Sequence, residues 1–439
     1  MKRQSGRRVA LSALCLAITI SFHAQPADTT AFMRKLLAVE GVSEVQPLAS
    51  TRFAEKYVLY IQQPVDHQQP EGPQFAQRVI IGLKGDARPT VLVTEGYFAH
   101  YALAEDYEEE LTRLLDANMV VCEYRYFGES VPEPCDWSQL TVDNSLADYH
   151  HLRQAFAPIF TNKWISTGIS KGGQTTMFYR ATYPTDMDIS VSYVAPLNRD
   201  VEDGRHEVFL SKKVATKAQR KQILAAEQEL MRRKERLLPQ FEQYAADHAF
   251  TYNVSAADIY DFCVMELPFA LWQWGTGTEG MPTFEASDSV WFDYYIQNAG
   301  PEYFSCPSEF TPFFVQAARE LGYYGYACKG LKKWQSISTS KGYLNQLMLP
   351  AELRGIDFDP TLYERTVNFL KANDPKQIFI YGELDPWSAS GVLTWLDCSQ
   401  KENMRIYVEP GGCHKARIST MPQATQQEIL SRLNEWLSQ

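Results

Sequence analysis

The sequence predicts an α/β fold, a parallel sheet with helices on both faces. Three observations predict it. Short segments rich in Val, Ile and Tyr, bounded by turn residues, recur in the first half and again near the C-terminus. Stretches with apolar residues at three- and four-residue spacing lie between the later ones. A Gly-x-Ser-x-Gly pattern stands where one such strand gives way to one such helix.

The predicted strands are 56–65, 77–83, 90–96, 119–125, 163–170 and 188–196, with two more at 377–385 and 404–410. Predicted helices cover 104–117, 144–160 and the closing segment 425–439. The interval from about 197 to 370 differs in character. It holds a long charged helix at 211–248 and many aromatics but few strand signals, as expected of a helical cap inserted into the sheet domain. The expected division is a catalytic domain from 25–196 and 371–439, with a substrate-recognition cap at 197–370. The basic run in the long helix reads as a solvated face.

Residues 1–24 read as an export signal. Lys2, Arg3, Arg7 and Arg8 precede the apolar run Val9 to Ile20, and small residues follow up to Ala24. The run is shorter than the ~20 residues of a membrane span, so no stable anchor is expected and the mature chain is expected in the periplasm or outside the cell. Losing this segment, with four basic and no acidic groups, takes the net charge from −11 to −15. That acidity argues against nucleic acid as a partner. Seven cysteines remain, an odd number; Cys122 with Cys135 and Cys398 with Cys413 are close enough in sequence to pair. Nothing in their spacing suggests a metal site, and no cofactor is expected. Oligomeric state is not legible.

The chemistry centres on Gly168-Ile169-Ser170-Lys171-Gly172. A strand before and a helix after make this a nucleophile elbow, which presents a serine hydroxyl on a sharp turn at a helix N-terminus. Serine needs a base. Of the eight histidines only His206, His248 and His414 follow Ser170, and the first two lie in the cap. His414 follows the last strand. The acid is expected after the preceding strand, in YGELDPW: Asp385, with Glu383 as the alternative. Together these features describe an α/β-hydrolase. Its oxyanion donors would be the backbone N–H of Lys171 and that of Gly96 or Tyr97, after the strand at 90–94.

TGISKGGQT around Ser170, EYRYFGESVPEP at 123–134 and YGELDPW at 381–387 resemble, in matching order, the secreted prolyl tri- and tetrapeptidyl aminopeptidases. These are serine peptidases of the α/β-hydrolase fold, distantly similar to prolylcarboxypeptidases. The resemblance spans about residue 50 to the C-terminus and implies the same triad, Ser170, Asp385 and His414. It also implies release of tri- or tetrapeptides from a free N-terminus, with proline at the cleaved carbonyl.

Such a substrate needs an apolar pocket and a carboxylate for its ammonium. Trp272, Trp274 and Trp291, with Phe269 and Phe292, are the aromatic candidates in the cap. Glu202, Asp203, Glu95 and Glu266 are the acidic ones. Arg125 and Glu129 are expected to pair and brace the loop beside the site. An esterase on the same fold, or an inactive hydrolase-like protein binding peptides or glycans, are the competing readings.

Overall fold

The computed structural model describes residues 29–439; the expected export signal lies outside them. A short helix, α1 (Ala31–Leu37), leads into nine strands: β1 (Val42–Pro47), β2 (Glu55–Pro64), β3 (Gln74–Leu83), β4 (Thr90–Thr94), β5 (Asn118–Cys122), β6 (Trp164–Ile169), β7 (Ile189–Tyr193), β8 (Gln377–Gly382) and β9 (Met404–Glu409). They form one sheet in the order β1-β2-β3-β5-β4-β6-β7-β8-β9. The eight predicted strands are all present. β1 was not predicted: it is an edge strand with only Val45 buried, so it lacks an apolar run. The sheet is mixed. β1, β2 and β3 pair antiparallel through two hairpin connections, and β3 also pairs antiparallel with β5. From β5 through β9 every pairing is parallel.

The parallel strands β4 to β8 are buried on both faces, and alternate residues feed two separate cores. Val91, Val93, Met119, Val121, Ile378 and Ile380 join one cluster with Leu111, Ile429, Leu433 and Trp436. Those last four come from α2 (Glu110–Leu114) and α11 (Gln423–Ser438). Leu92, Val120, Phe379 and Tyr381 face the opposite way, toward Leu146, Leu152, Met177 and Phe178. These belong to α3 (Val142–Phe156) and α4 (Lys171–Thr182).

Between β7 and β8 the chain forms α5 (Arg205–Val208), α6 (Lys217–Asp247), α7 (Ala256–Trp274), α8 (Asp288–Ala299), α9 (Thr311–Gln316) and α10 (Thr361–Ala372). The helices α6, α7 and α8 pack on one another, whereas α10 packs on α4 beside the sheet. Two predicted helices are shorter than expected, each for a local reason. The Glu109 carboxylate accepts from the N–H groups of Leu111 and Thr112, which fixes the start of α2 at residue 110. Ala215 sits at φ 46°, and Thr216 and Gln219 then form a capping box that starts α6 afresh.

The seven described cysteines are all free, so neither expected pair is joined. Arg125 does not pair with Glu129. Its guanidinium is fully buried and grips Asp148 with two bonds, Nε to Oδ2 at 2.7 Å and Nη2 to Oδ1 at 2.6 Å. Glu129 pairs instead with Arg78, at 3.0 Å. The loop is braced as expected, but from α3, because Asp148 lies nearer the planar fork of Arg125.

Candidate active site

Parallel pairing carries the ends of β4, β6, β8 and β9 to one edge of the sheet, where ligands of such folds bind. Ser170 follows β6 directly and adopts φ 57°, ψ −117°, a conformation that costs about 1–3 kcal/mol for a non-glycine residue. The surroundings hold it there. Its N–H donates to Tyr193 O at 2.9 Å and its carbonyl accepts from Gln174 N at 2.9 Å. The turn is tight enough that a Cβ at position 168 would lie 2.3 Å from Gly172 O, and one at 172 would lie 2.6 Å from Thr94 O. Only glycine fits either place. The serine side chain is partly exposed and makes no hydrogen bond among the described residues.

His414, in the loop after β9, turns its Nδ1 to Asp385 Oδ2 at 2.7 Å. Asp385 is wholly buried, and its Oδ1 accepts from Trp387 N at 3.1 Å. Glu383, the alternative acid, is exposed and accepts from Gly411 N at 2.8 Å, so it ties the histidine loop down from outside. The helices between β7 and β8 reach this loop as well. His414 N donates to Gln273 O at 3.0 Å, at the end of α7.

The backbone N–H groups of Gly96, Tyr97 and Lys171 all find no acceptor among the described residues. Close contact joins the two loops, since a Cβ at 96 would stand 2.6 Å from that of Lys171.

The four candidate carboxylates differ. Asp203 is buried and committed to Arg205, whose Nη2 lies 2.5 Å from Oδ2; it also accepts from the N–H groups of Arg199 and Arg205. Burial pushes its carboxyl up, but Arg205 more than reverses this, so it braces its own loop and leaves no oxygen for a ligand. Glu202 is partly buried, accepts from Gly342 N at 2.5 Å, and is pushed up by burial. Glu95 accepts from the Tyr101 hydroxyl, and burial lifts it to about 7. Glu266, on α7, is also lifted by burial to about 7; its Oε2 accepts from Tyr326 at 2.7 Å and Tyr324 at 2.9 Å, while its Oε1 has no partner.

Of the three tryptophans only Trp274 comes near the histidine, its ring edge-on at 6.3 Å. Trp272 is buried against Gly277. Trp291 is buried with its Nε1 bonded to Thr283 O, inside the cap. Both belong to the cap core because their spacing on α7 and α8 turns them inward.

The aromatic group that does adjoin the site includes Phe269, which the sequence named, but also Trp387, Tyr323 and Tyr324, which it missed. Trp387 lies 6.3 Å from His414 and within 5.5 Å of Phe269, Tyr323 and Tyr324. Its Nε1 is buried without an acceptor. Tyr324 stacks on Phe269 at 3.8 Å and extends to Glu266, so rings run continuously from His414 to a carboxylate. The signal was present in Asp385-Pro386-Trp387 and in the tyrosines flanking Gly322 and Gly325, a stretch with no helical or strand period. Three large side chains left exposed, Ile169, Trp274 and Phe310, adjoin Ser170, His414 and Tyr97 respectively, giving the site an apolar mouth.

No group of three or more metal-ligating side chains occurs among the described residues. No described helix is long and apolar enough to cross a membrane.

The chain is 29% identical to the prolyl tri/tetrapeptidyl aminopeptidase of Streptomyces mobaraensis over 414 residues, 92% of this chain and 84% of that protein. Among solved structures it resembles VinJ (13% identity, TM-score 0.39, 90% of this chain and 98% of the other). It also resembles the proline iminopeptidase of Mycobacterium smegmatis (12% identity, TM-score 0.36, 90% and 98%). Likenesses at that level carry no argument about activity. The family model for PS-10 peptidase S37 matches residues 25–438, so the chain belongs to that family and is a serine peptidase with an α/β-hydrolase fold.

Proposed function

We propose that this peptidase releases tri- or tetrapeptides from the free N-terminus of peptides by cleaving after proline, with Ser170, His414 and Asp385 as its triad. The observation that carries the reading is the buried His414–Asp385 hydrogen bond, at the sheet edge to which the Ser170 elbow also belongs. His414 takes the Ser170 proton as Oγ attacks the carbonyl, and Asp385 holds the imidazole tautomer and stabilises the imidazolium. The N–H groups of Lys171 and Tyr97 receive the oxyanion. His414 then protonates the leaving amine, and water hydrolyses the acyl-enzyme by the reverse sequence.

The cap, residues 197–370, supplies substrate recognition in this reading. Trp387, Phe269 and Tyr324 offer flat apolar walls suited to a proline ring. Glu266 is the preferred anchor for the ammonium, since it is buried and one of its oxygens is free. An extended chain advances about 3.3–3.6 Å per residue, so a tripeptide places its ammonium on the order of 10 Å from the scissile carbonyl. From His414 the rings step to Trp387 (6.3 Å) and on to Tyr324 (5.3 Å), whose hydroxyl donates to Glu266 Oε2 at 2.9 Å. Residues 1–24 act as an export signal, and N-terminal sequencing of the mature protein checks the cleavage after Ala24.

The test is covalent. A fluorophosphonate probe is expected to label the protein at Ser170, by peptide mapping, and Ser170→Ala is expected to fold without labelling or turnover. Labelling elsewhere, or turnover by the alanine variant, overturns the assignment.

A further inference from the structure

The residue after the nucleophile has a side chain that the mechanism above does not use. Lys171 is long and charged, yet only 2% exposed. Its Nζ donates to Gly96 O at 2.6 Å. It lies 3.3 Å from the centroid of the Tyr124 ring and 5.4 Å from those of Tyr97 and Phe127. The Glu95 carboxylate acts most strongly on it, with Glu320 contributing more weakly. Burying an ammonium is costly, and a residue needed only for its N–H could carry any small side chain. The fold nevertheless keeps Gly96 free of a Cβ so that the lysine stem can pass.

The bonded carbonyl matters. Gly96 C=O belongs to the same peptide unit as the Tyr97 N–H. A hydrogen bond from a cation to that oxygen draws electron density toward it and leaves the N–H on the other side of the amide a stronger donor, by roughly 10–30% per bond in condensed phase. We propose that the Lys171 side chain is a positioning residue for catalysis, which orients and polarises the Gly96–Tyr97 peptide so that the Tyr97 N–H stabilises the oxyanion. One residue thereby serves both halves of the oxyanion hole: its own N–H directly, and Tyr97 through its side chain. Burial pushes the ammonium well below its usual range while Glu95 opposes that shift. An amine donates the hydrogen bond in either protonation state, and the three aromatic faces favour the charged one.

The inference rests on Ser170 being the nucleophile, and fluorophosphonate labelling separates the two claims. The experiment compares wild type with Lys171→Met, which keeps the stem, and Lys171→Gln, which keeps a neutral donor. On a free-amine Ala-Ala-Pro anilide, Lys171→Met is expected to lose about 10- to 100-fold in kcat with KM within about threefold. Lys171→Gln is expected to recover part of the loss. A carbon-13 labelled peptidyl trifluoromethyl ketone gives the second readout. The pKa of its hemiketal hydroxyl on Ser170 is expected to rise by about one unit or more in both variants, a tenfold weaker grip on the oxyanion. If Lys171→Met does not accumulate as folded protein, the Lys171→Gln adduct decides alone. A wild-type hemiketal pKa or kcat in a folded variant that still labels at Ser170 overturns the role of Lys171 and leaves the triad standing. Absence of labelling in the wild type overturns both.

Discussion

Asp385 and His414 stand on the loops that follow two adjacent parallel strands, and their side chains meet at 2.7 Å with the carboxylate wholly buried. The second oxygen of Asp385 is held by Trp387 N, so the carboxylate has one orientation. Asp385→Asn preserves shape and the Trp387 contact but favours the wrong imidazole tautomer. The expected result is a loss of about 10³–10⁴ in kcat with little change in thermal stability, measured by anilide hydrolysis and calorimetry. Glu383→Gln, which touches only the outer loop, is expected to keep kcat within about threefold.

Glu266 offers a test of amine recognition. Its free oxygen faces no protein donor, and Tyr324 and Tyr326 hold the other. Glu266→Gln is expected to lower kcat/KM for free-amine peptides about tenfold or more, as loss of a charge-assisted hydrogen bond of roughly 1.5–3 kcal/mol requires. Hydrolysis of acyl esters lacking an amine is expected to change little. Equal loss on both substrates would assign Glu266 to the cap's packing.

Trp387→Phe removes the unpaired indole N–H and keeps most of the ring surface against Phe269 and Tyr324. A lower kcat/KM on proline substrates is expected, with a melting temperature reduced by the lost packing of the buried indole. An unchanged kcat/KM would show that this ring does not shape the substrate pocket.

Glu109 links stability to pH. Burial, reinforced by the neighbouring Glu110, lifts it to about 8, against the N–H bonds it accepts at the start of α2. A carboxyl whose folded pKa is raised contributes its full stability below its unfolded pKa, near 4.3, and loses it as pH rises through the folded value. Relative to Glu109→Gln, the wild type is therefore expected to lose stability steadily from about pH 4.5 to pH 8. Melting temperatures of the two proteins across that range check it; parallel curves would contradict it.

The Arg125–Asp148 pair is sealed from solvent and supports the loop of residues 123–134. Asp148→Ala leaves a buried guanidinium uncompensated and is expected to cost about 3–5 kcal/mol in urea unfolding. A cost under about 1 kcal/mol would mean that His67 and Gln77, the other partners of Asp148, leave room for water to replace it.

The sheet edge that carries the candidate site was legible because it follows from chain order. Each buried strand announces itself as an apolar run, and parallel pairing brings the loops after β4, β6, β8 and β9 together without any knowledge of packing. Hence Ser170, Asp385 and His414 could be chosen from their positions alone, and the histidine–acid half of that choice is in contact. The helical character of the segment between β7 and β8 was legible, but not its detail. Trp272, Trp274 and Trp291 are equally aromatic in sequence, and only the crossing of α7 over the His414 loop distinguishes Trp274. Glu266 and Asp203 look alike until Arg205 is seen to occupy one and nothing the free oxygen of the other. The choice of Asp148 as partner for Arg125 needed α3 to pack against the loop, a long-range contact with no local signal.

The most direct measurement is hydrolysis of Ala-Ala-Pro p-nitroanilide beside its N-acetylated form, with Ser170→Ala as the blank. Rapid cleavage of the free-amine substrate after proline, with the acetylated one at least about tenfold slower, is the predicted result. Equal cleavage of both would contradict an aminopeptidase and leave a serine peptidase without a seat for the ammonium.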